Sequence, residues 1–194
     1  MTGTPPDHTN PNAAAKEVRR LELLSEEFGD PIIAHAVASL RDARRRTLKC
    51  VDGLRDETLR WRSGGAANSI GDLLYHIALV EADWLFDEVV GIPYPEQMKV
   101  LLPAEMRDAQ GRLSHAAAET LGDHLRRLLR VREELEKVFR TMTLEEFRRL
   151  RHMPAYDVSP EWILHHLAQH EAEHRNRIRV LRRQAEAGRS SAGS

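Results

Sequence analysis

The chain has 194 residues, 41 % hydrophobic and 30 % charged, the size of one ordinary domain with one sizeable core. Lys and Arg (29) nearly cancel Asp and Glu (30), so no global field draws the chain to nucleic acid or to an anionic membrane. Cys50 is the single cysteine, which excludes an internal disulfide and a Cys-rich metal site.

The N-terminus, MTGTPPDHTNPN, is polar and Pro-rich and lacks the apolar stretch of a signal peptide. Residues 1–12 read as a disordered arm and 188–194 as a disordered tail, with one helical domain at 13–187. No apolar run approaches the ~20 residues of a membrane span. The expectation is a cytoplasmic protein with neither nucleic-acid nor membrane partners.

AAAKEVRRLELLSEEF predicts a short amphipathic helix of strong helix formers, stopped by Gly29. Its apolar residues Val18, Leu21 and Leu24 offer a surface for a homodimer. Asp30-Pro31 restarts a helix, with Asp as N-cap and Pro in the first turn. That helix runs to about Leu54, with Ile33, Val37, Leu40, Leu48 and Val51 at near-helical spacing. Ser63-Gly64-Gly65 is a break. Ser69 caps the next helix with Asp72 three residues on, and this helix ends at Gly91.

The stretch 92–119 holds Pro93, Pro95 and Pro103 and reads as a connection or a loop rimming a site. TLGDHLRRLLRVREELEKVFRTM is the next long helix, TLEEF a short helical turn, and RRLRHMPAYDVSP a loop. Ser159 and Pro160 open the last helix, which has no internal breaker. RDARRR and RRLLRVR read as exposed Arg-rich helix faces, not as a nucleic-acid surface. Four long amphipathic helices plus a short N-terminal one predict an all-α protein, a four-helix bundle.

Four of the ten histidines fall in HHLAQHEAEH. Ile163, Leu167, His170, His174, Ile178 and Leu181 share one inward face. His170 and His174 interrupt that apolar stripe one turn apart, with a rise of about 6 Å, so both rings can reach one ion. Each could instead satisfy a buried carbonyl, but two separate partners would then be needed at one level of the core. On the earlier helix, Leu73, His76, Ile77, Val80 and Trp84 form the apolar face, and His76 sits in its middle. Three imidazoles suit a divalent ion, zinc or nickel first, then Fe, Mn or Co, and leave positions open. His166 lies at the edge of the stripe and His165 points away from it. His35, His115, His124 and His152 have no partner that spacing identifies.

His170-Glu171-Ala172-Glu173-His174 matches H-E-x-x-H, the helix motif of zinc proteases. Arg177 and Val180 stand where the longer signature would continue, and no strand is predicted that would align a peptide substrate. The protease remains a remote alternative. Glu171 and Glu173 read most simply as solvated charges.

Three segments resemble the DinB-like superfamily of metal-binding four-helix bundles, which includes YfiT-like metal hydrolases and thiol-dependent S-transferases. They are GLRDETLRWRSGGAANSIGDLLYHIALVEADWL, TLGDHLRRLLRVREEL and EWILHHLAQHEAEHRNRI, within roughly 31–183. The resemblance implies the DinB/YfiT bundle and a metal held by His76, His170 and His174. It implies a site that activates water or a low-molecular-weight thiol toward a small-molecule substrate, as a metal-dependent hydrolase or thiol S-transferase. Glu171 or Glu81 would serve as proton shuttle. Asn176-Arg177 departs from the Gly-Gln that many relatives carry there. A non-catalytic, stress-related metal-binding protein on the same bundle is the alternative.

Overall fold

The computed structural model describes residues 22–23, 27–64, 68–107, 113 and 119–192. Most of the helix expected before Gly29 lies outside them, as do the arm at 1–12 and the proposed dimer residues Val18, Leu21 and Leu24. Phe28 is within them and is buried.

Helix α1 spans Pro31–Val51. Asp30 Oδ1 accepts from the backbone N–H of Ile32 at 2.8 Å and of Ile33 at 3.4 Å, which supplies two of the donors that a helix start leaves unpaired. The helix ends three residues before the expected Leu54, at Val51. A short α2, Asp56–Arg60, follows that the sequence did not reveal.

Helix α3, Ile70–Asp83, starts on a complete capping box of Ser69 and Asp72. It is buried almost all round, as the central element of a bundle must be. From Trp84 to Val90 the same rod continues as a π-helix. Gly91, at φ 71°, closes it in the left-handed region that suits glycine. The irregular stretch after it contains a short α4, Glu96–Leu101.

Helix α5, Leu121–Arg140, opens on a Thr120–Asp123 capping box. TLEEF forms α6, Leu144–Arg148. The expected loop after it holds a two-residue antiparallel pair, β1 (Arg151–His152) and β2 (Asp157–Val158). Helix α7 runs from Pro160 to Ala192, past residue 187, where the domain was expected to end. Ser159 Oγ accepts from Trp162 N–H at 3.2 Å at its start.

α7 packs against α1 and α3, and α3 also packs against α5. The four long helices form the expected bundle. Val37, Leu40, Leu59, Leu74, Leu85, Leu135 and Ile163 are completely buried between them. Burial of each such side chain stabilises the fold by roughly 1.5–3 kcal/mol. Among the described residues no helix is long and apolar enough to cross a membrane.

Candidate metal centre

His76 comes from the middle of α3, and His170 and His174 from successive turns of α7. The packing of those two helices brings the three rings together. His170 Nε2 lies 3.2 Å from His76 Nε2 and 3.0 Å from His174 Nε2. One nitrogen from each ring lies within 4.8 Å of the other two. Two nitrogens bound to one tetrahedral ion at 2.0–2.1 Å stand about 3.3 Å apart. Two of the three separations are near that value.

Three imidazole nitrogens of one kind converge here. In the neutral ring only one nitrogen carries a proton, so three facing Nε2 atoms cannot satisfy one another as three donors and three acceptors. Among the described residues His76 Nδ1 is also buried without a hydrogen-bond partner. The donor set fits a divalent cation, as soft and borderline ions prefer imidazole. It does not select among zinc, nickel and the others.

The electrostatics keep these rings neutral, the form that ligates. Burial, then the neighbouring His174 and Arg107, pushes His76 down to about 4. Burial, then His174, His76 and His166, pushes His170 down to about 3. His174 is also lowered, chiefly by burial.

Directly behind the histidines lies a second polar cluster. Glu81 and Glu171 are 2 % and 1 % exposed, so the reading of Glu171 as a solvated charge is overturned. Arg44 Nε donates to Glu171 Oε1 at 2.8 Å, and its Nη2 donates to Glu81 Oε2 at 2.6 Å. Arg132 Nε and Nη2 donate to the two oxygens of Glu81 at 2.6 and 2.9 Å, and Nη2 also reaches Glu171 Oε2 at 3.4 Å. The remaining guanidinium nitrogens donate to the Leu128 and Leu40 carbonyls. Each of the four bundle helices contributes one residue, and the charges sum to zero. Burial alone would raise the Glu81 carboxyl, but Arg132 and Arg44 outweigh it and the net shift is downward.

The two arginines were missed because each stands in a run read as an exposed face. The signal was nevertheless present. Val37, Leu40, Arg44, Thr47 and Val51 recur at three- and four-residue steps, and Leu128, Val131, Arg132, Leu135 and Phe139 do likewise. All ten positions are buried. A charge on an apolar stripe carries the same message as a histidine there.

The other histidines separate cleanly. His166 sits beside the cluster, its ring centroid 6.0 Å from that of His170. His165 and His35 are exposed. His124 is buried and accepts from Arg127 Nη1 at 3.2 Å, and His152 pairs with Asp157 across the β1–β2 hairpin. His8 and His115 lie outside the described residues. Asn176 and Arg177 are exposed beyond the cluster.

The HExxH letters do not have protease geometry, since both oxygens of Glu171 accept from guanidinium groups. The family model described as mycothiol S-transferase matches residues 36–187. No curated protein matches the chain.

Proposed function

The chain belongs to the mycothiol S-transferase family, within the DinB/YfiT-like superfamily, and from that premise we propose that it is a metal-dependent transferase. It would join a low-molecular-weight thiol, mycothiol first among candidates, to a small electrophile. The observation that carries this reading is the convergence of three Nε2 atoms from α3 and α7 inside the family-matched region.

His76, His170 and His174 would hold a divalent cation, zinc or nickel, on one side and leave its other side open. A cation so held makes a thiol acidic enough to lose its proton at neutral pH. Everything else falls to the protein. The low-pKa histidines reach the site neutral and ready to ligate. The ion cluster of Arg44, Glu81, Arg132 and Glu171 fixes the relative height and rotation of the two ligand-bearing helices. Glu171 and Glu81 are positioning residues in this reading, in place of the proton transfer that the family resemblance implied. Both oxygens of each carboxylate accept from guanidinium groups. The thiol proton leaves to solvent.

The test is to load purified protein with zinc or nickel, measure stoichiometry, and follow conjugation of mycothiol to iodoacetamide. The expected result is one metal per chain and turnover that His170→Ala and metal removal both abolish. Equal rates with and without metal would overturn the reading.

A further inference from the structure

The last helix carries more than the metal ligands. Trp162, His166, His170 and His174 follow one another at four-residue steps along α7. Their rings form a continuous rail. Trp162 stacks on His166 with centroids 4.9 Å apart and planes 6° apart. His166 lies 6.0 Å from His170, which lies 4.4 Å from His174. Eight residues of helix separate Trp162 from His170, a rise of about 12 Å.

At the far end of the rail, aromatic rings enclose a cleft. Trp84 contacts His166 at 5.1 Å, Trp162 at 5.7 Å and Tyr156 at 6.0 Å between centroids. Trp84, Tyr156 and Trp162, with Leu150 and Val158, line a cavity of about 480 Å³. Leu150 is 51 % and Trp162 49 % exposed, so the cleft presents apolar surface to solvent. Trp84 is the first residue of the π-helix, and π-turns recur at functional sites.

Three polar side chains at the rim are engaged, while Glu88 Oε2 has no partner among the described residues. Tyr156 Oη donates to Glu88 Oε1 at 2.8 Å, Ser159 Oγ caps α7, and Asp157 pairs with His152. The lining is mostly apolar, and an anionic ligand meets Asp157 and Glu88. A neutral, flat, apolar group finds three ring faces.

We propose that the cleft of Trp84, Leu150, Tyr156 and Trp162 binds the electrophilic substrate through an uncharged aromatic group, with a short chain carrying the reactive carbon past His166 to the histidine cluster. The cleft is thus the specificity site of the transferase, and this inference rests on the function proposed above. In the step it serves, the thiol sulfur forms a bond to the reactive carbon. The bond from that carbon to its leaving group breaks, the leaving group departs with the electron pair, and the thiol proton passes to solvent.

Two electrophiles with the same reacting centre test this: iodoacetamide and N-benzyl iodoacetamide, each releasing iodide. With metal-loaded enzyme and mycothiol, the ratio of kcat/KM for the benzyl over the plain reagent is compared in wild type, Trp162→Ala and Leu150→Ser. The ratio is corrected for the uncatalysed reactions. A fall of roughly five- to tenfold in that ratio is expected for Trp162→Ala, mostly through KM, with a smaller fall for Leu150→Ser. A second readout needs no turnover. Calorimetric titration with inert N-benzylacetamide should show binding to wild type and a loss of about fivefold or more in either variant. If wild type does not bind N-benzylacetamide, or all three proteins bind it equally, the cleft proposal fails. If neither iodoacetamide is conjugated while N-benzylacetamide binds in the expected order, the transferase reading fails and the cleft stands as a binding site for aryl groups.

Discussion

The histidine cluster comes from α3 and α7, the ion cluster behind it takes one residue from each of α1, α3, α5 and α7, and the two treat their polar atoms in opposite ways. In the ion cluster every carboxylate oxygen has a guanidinium partner, and the spare guanidinium nitrogens find carbonyls. In the histidine cluster three nitrogens of one kind face each other, and His76 Nδ1 has no partner among the described residues. A buried polar group without a partner costs free energy. Self-sufficiency marks the first cluster as architecture, and incompleteness marks the second as a place where something from outside belongs.

The largest expected effect comes from breaking the complete cluster. Glu81→Ala leaves Arg44 and Arg132 buried with half their counter-charge, and should lower unfolding free energy by about 3–5 kcal/mol in urea titrations. Replacing all four charged residues by apolar side chains of similar volume should cost far less, since the desolvation penalty goes with the charges. A loss for Glu81→Ala of only about 1 kcal/mol, the size of a surface pair, would mean that water reaches the guanidiniums.

Breaking the incomplete cluster should cost little until metal is added. His170→Ala should unfold at nearly the wild-type midpoint without metal. With zinc at a hundredfold excess over the dissociation constant, wild type should gain about 2.7 kcal/mol and the variant almost none. Equal gains would remove His170 from the ligand set.

The two clusters should also respond to acid in different windows. The folded-state values of His76 and His170, about 4 and about 3, lie below the ordinary 6.5. The unfolded chain therefore takes up protons that the fold refuses. Metal-free protein should lose stability from about pH 6.5 downward, and the loss should level off below the folded values. Glu81 has a lowered folded value, so its contribution is present above its ordinary 4.5 and is lost as pH falls below that. His76→Leu should flatten the upper window in a pH series of thermal midpoints and leave the lower one. An unchanged profile would show that His76 is not held neutral by the fold.

Ser69→Ala should have the smallest effect, about 1 kcal/mol, from the lost N-cap of α3. Because α3 carries both His76 and Glu81, the loss should appear in urea midpoints with and without metal alike.

Much of this was legible in the sequence. Asp30-Pro31, Ser69 with Asp72, and Ser159-Pro160 mark the starts of three helices by side-chain chemistry that needs no tertiary context. His76, His170 and His174 stood out because they interrupt apolar stripes, and the fold brings them together. The ion cluster was obscured by its neighbours. Arg44 sits among Arg41, Arg45 and Arg46, and only the helical register separates the one buried arginine from the exposed ones. The π-helix left no mark because its apolar residues Leu85, Phe86 and Val89 are buried as readily in an α-helix. The strands β1 and β2 have only two residues each and show no alternation to read.

The π-helix has one more consequence, for how this protein can change over generations. A π-turn inserts one residue into a helical rod, and one residue corresponds to about 100° of rotation. The rod before Trp84 answers to the histidine and ion clusters, and the rod from Trp84 onward answers to the cleft and to Gly91. The extra residue sets the two halves in separate frames. A substitution at Trp84 can therefore reshape what the cleft admits without turning His76 or Glu81 out of place, since both lie in the α-helical part before it.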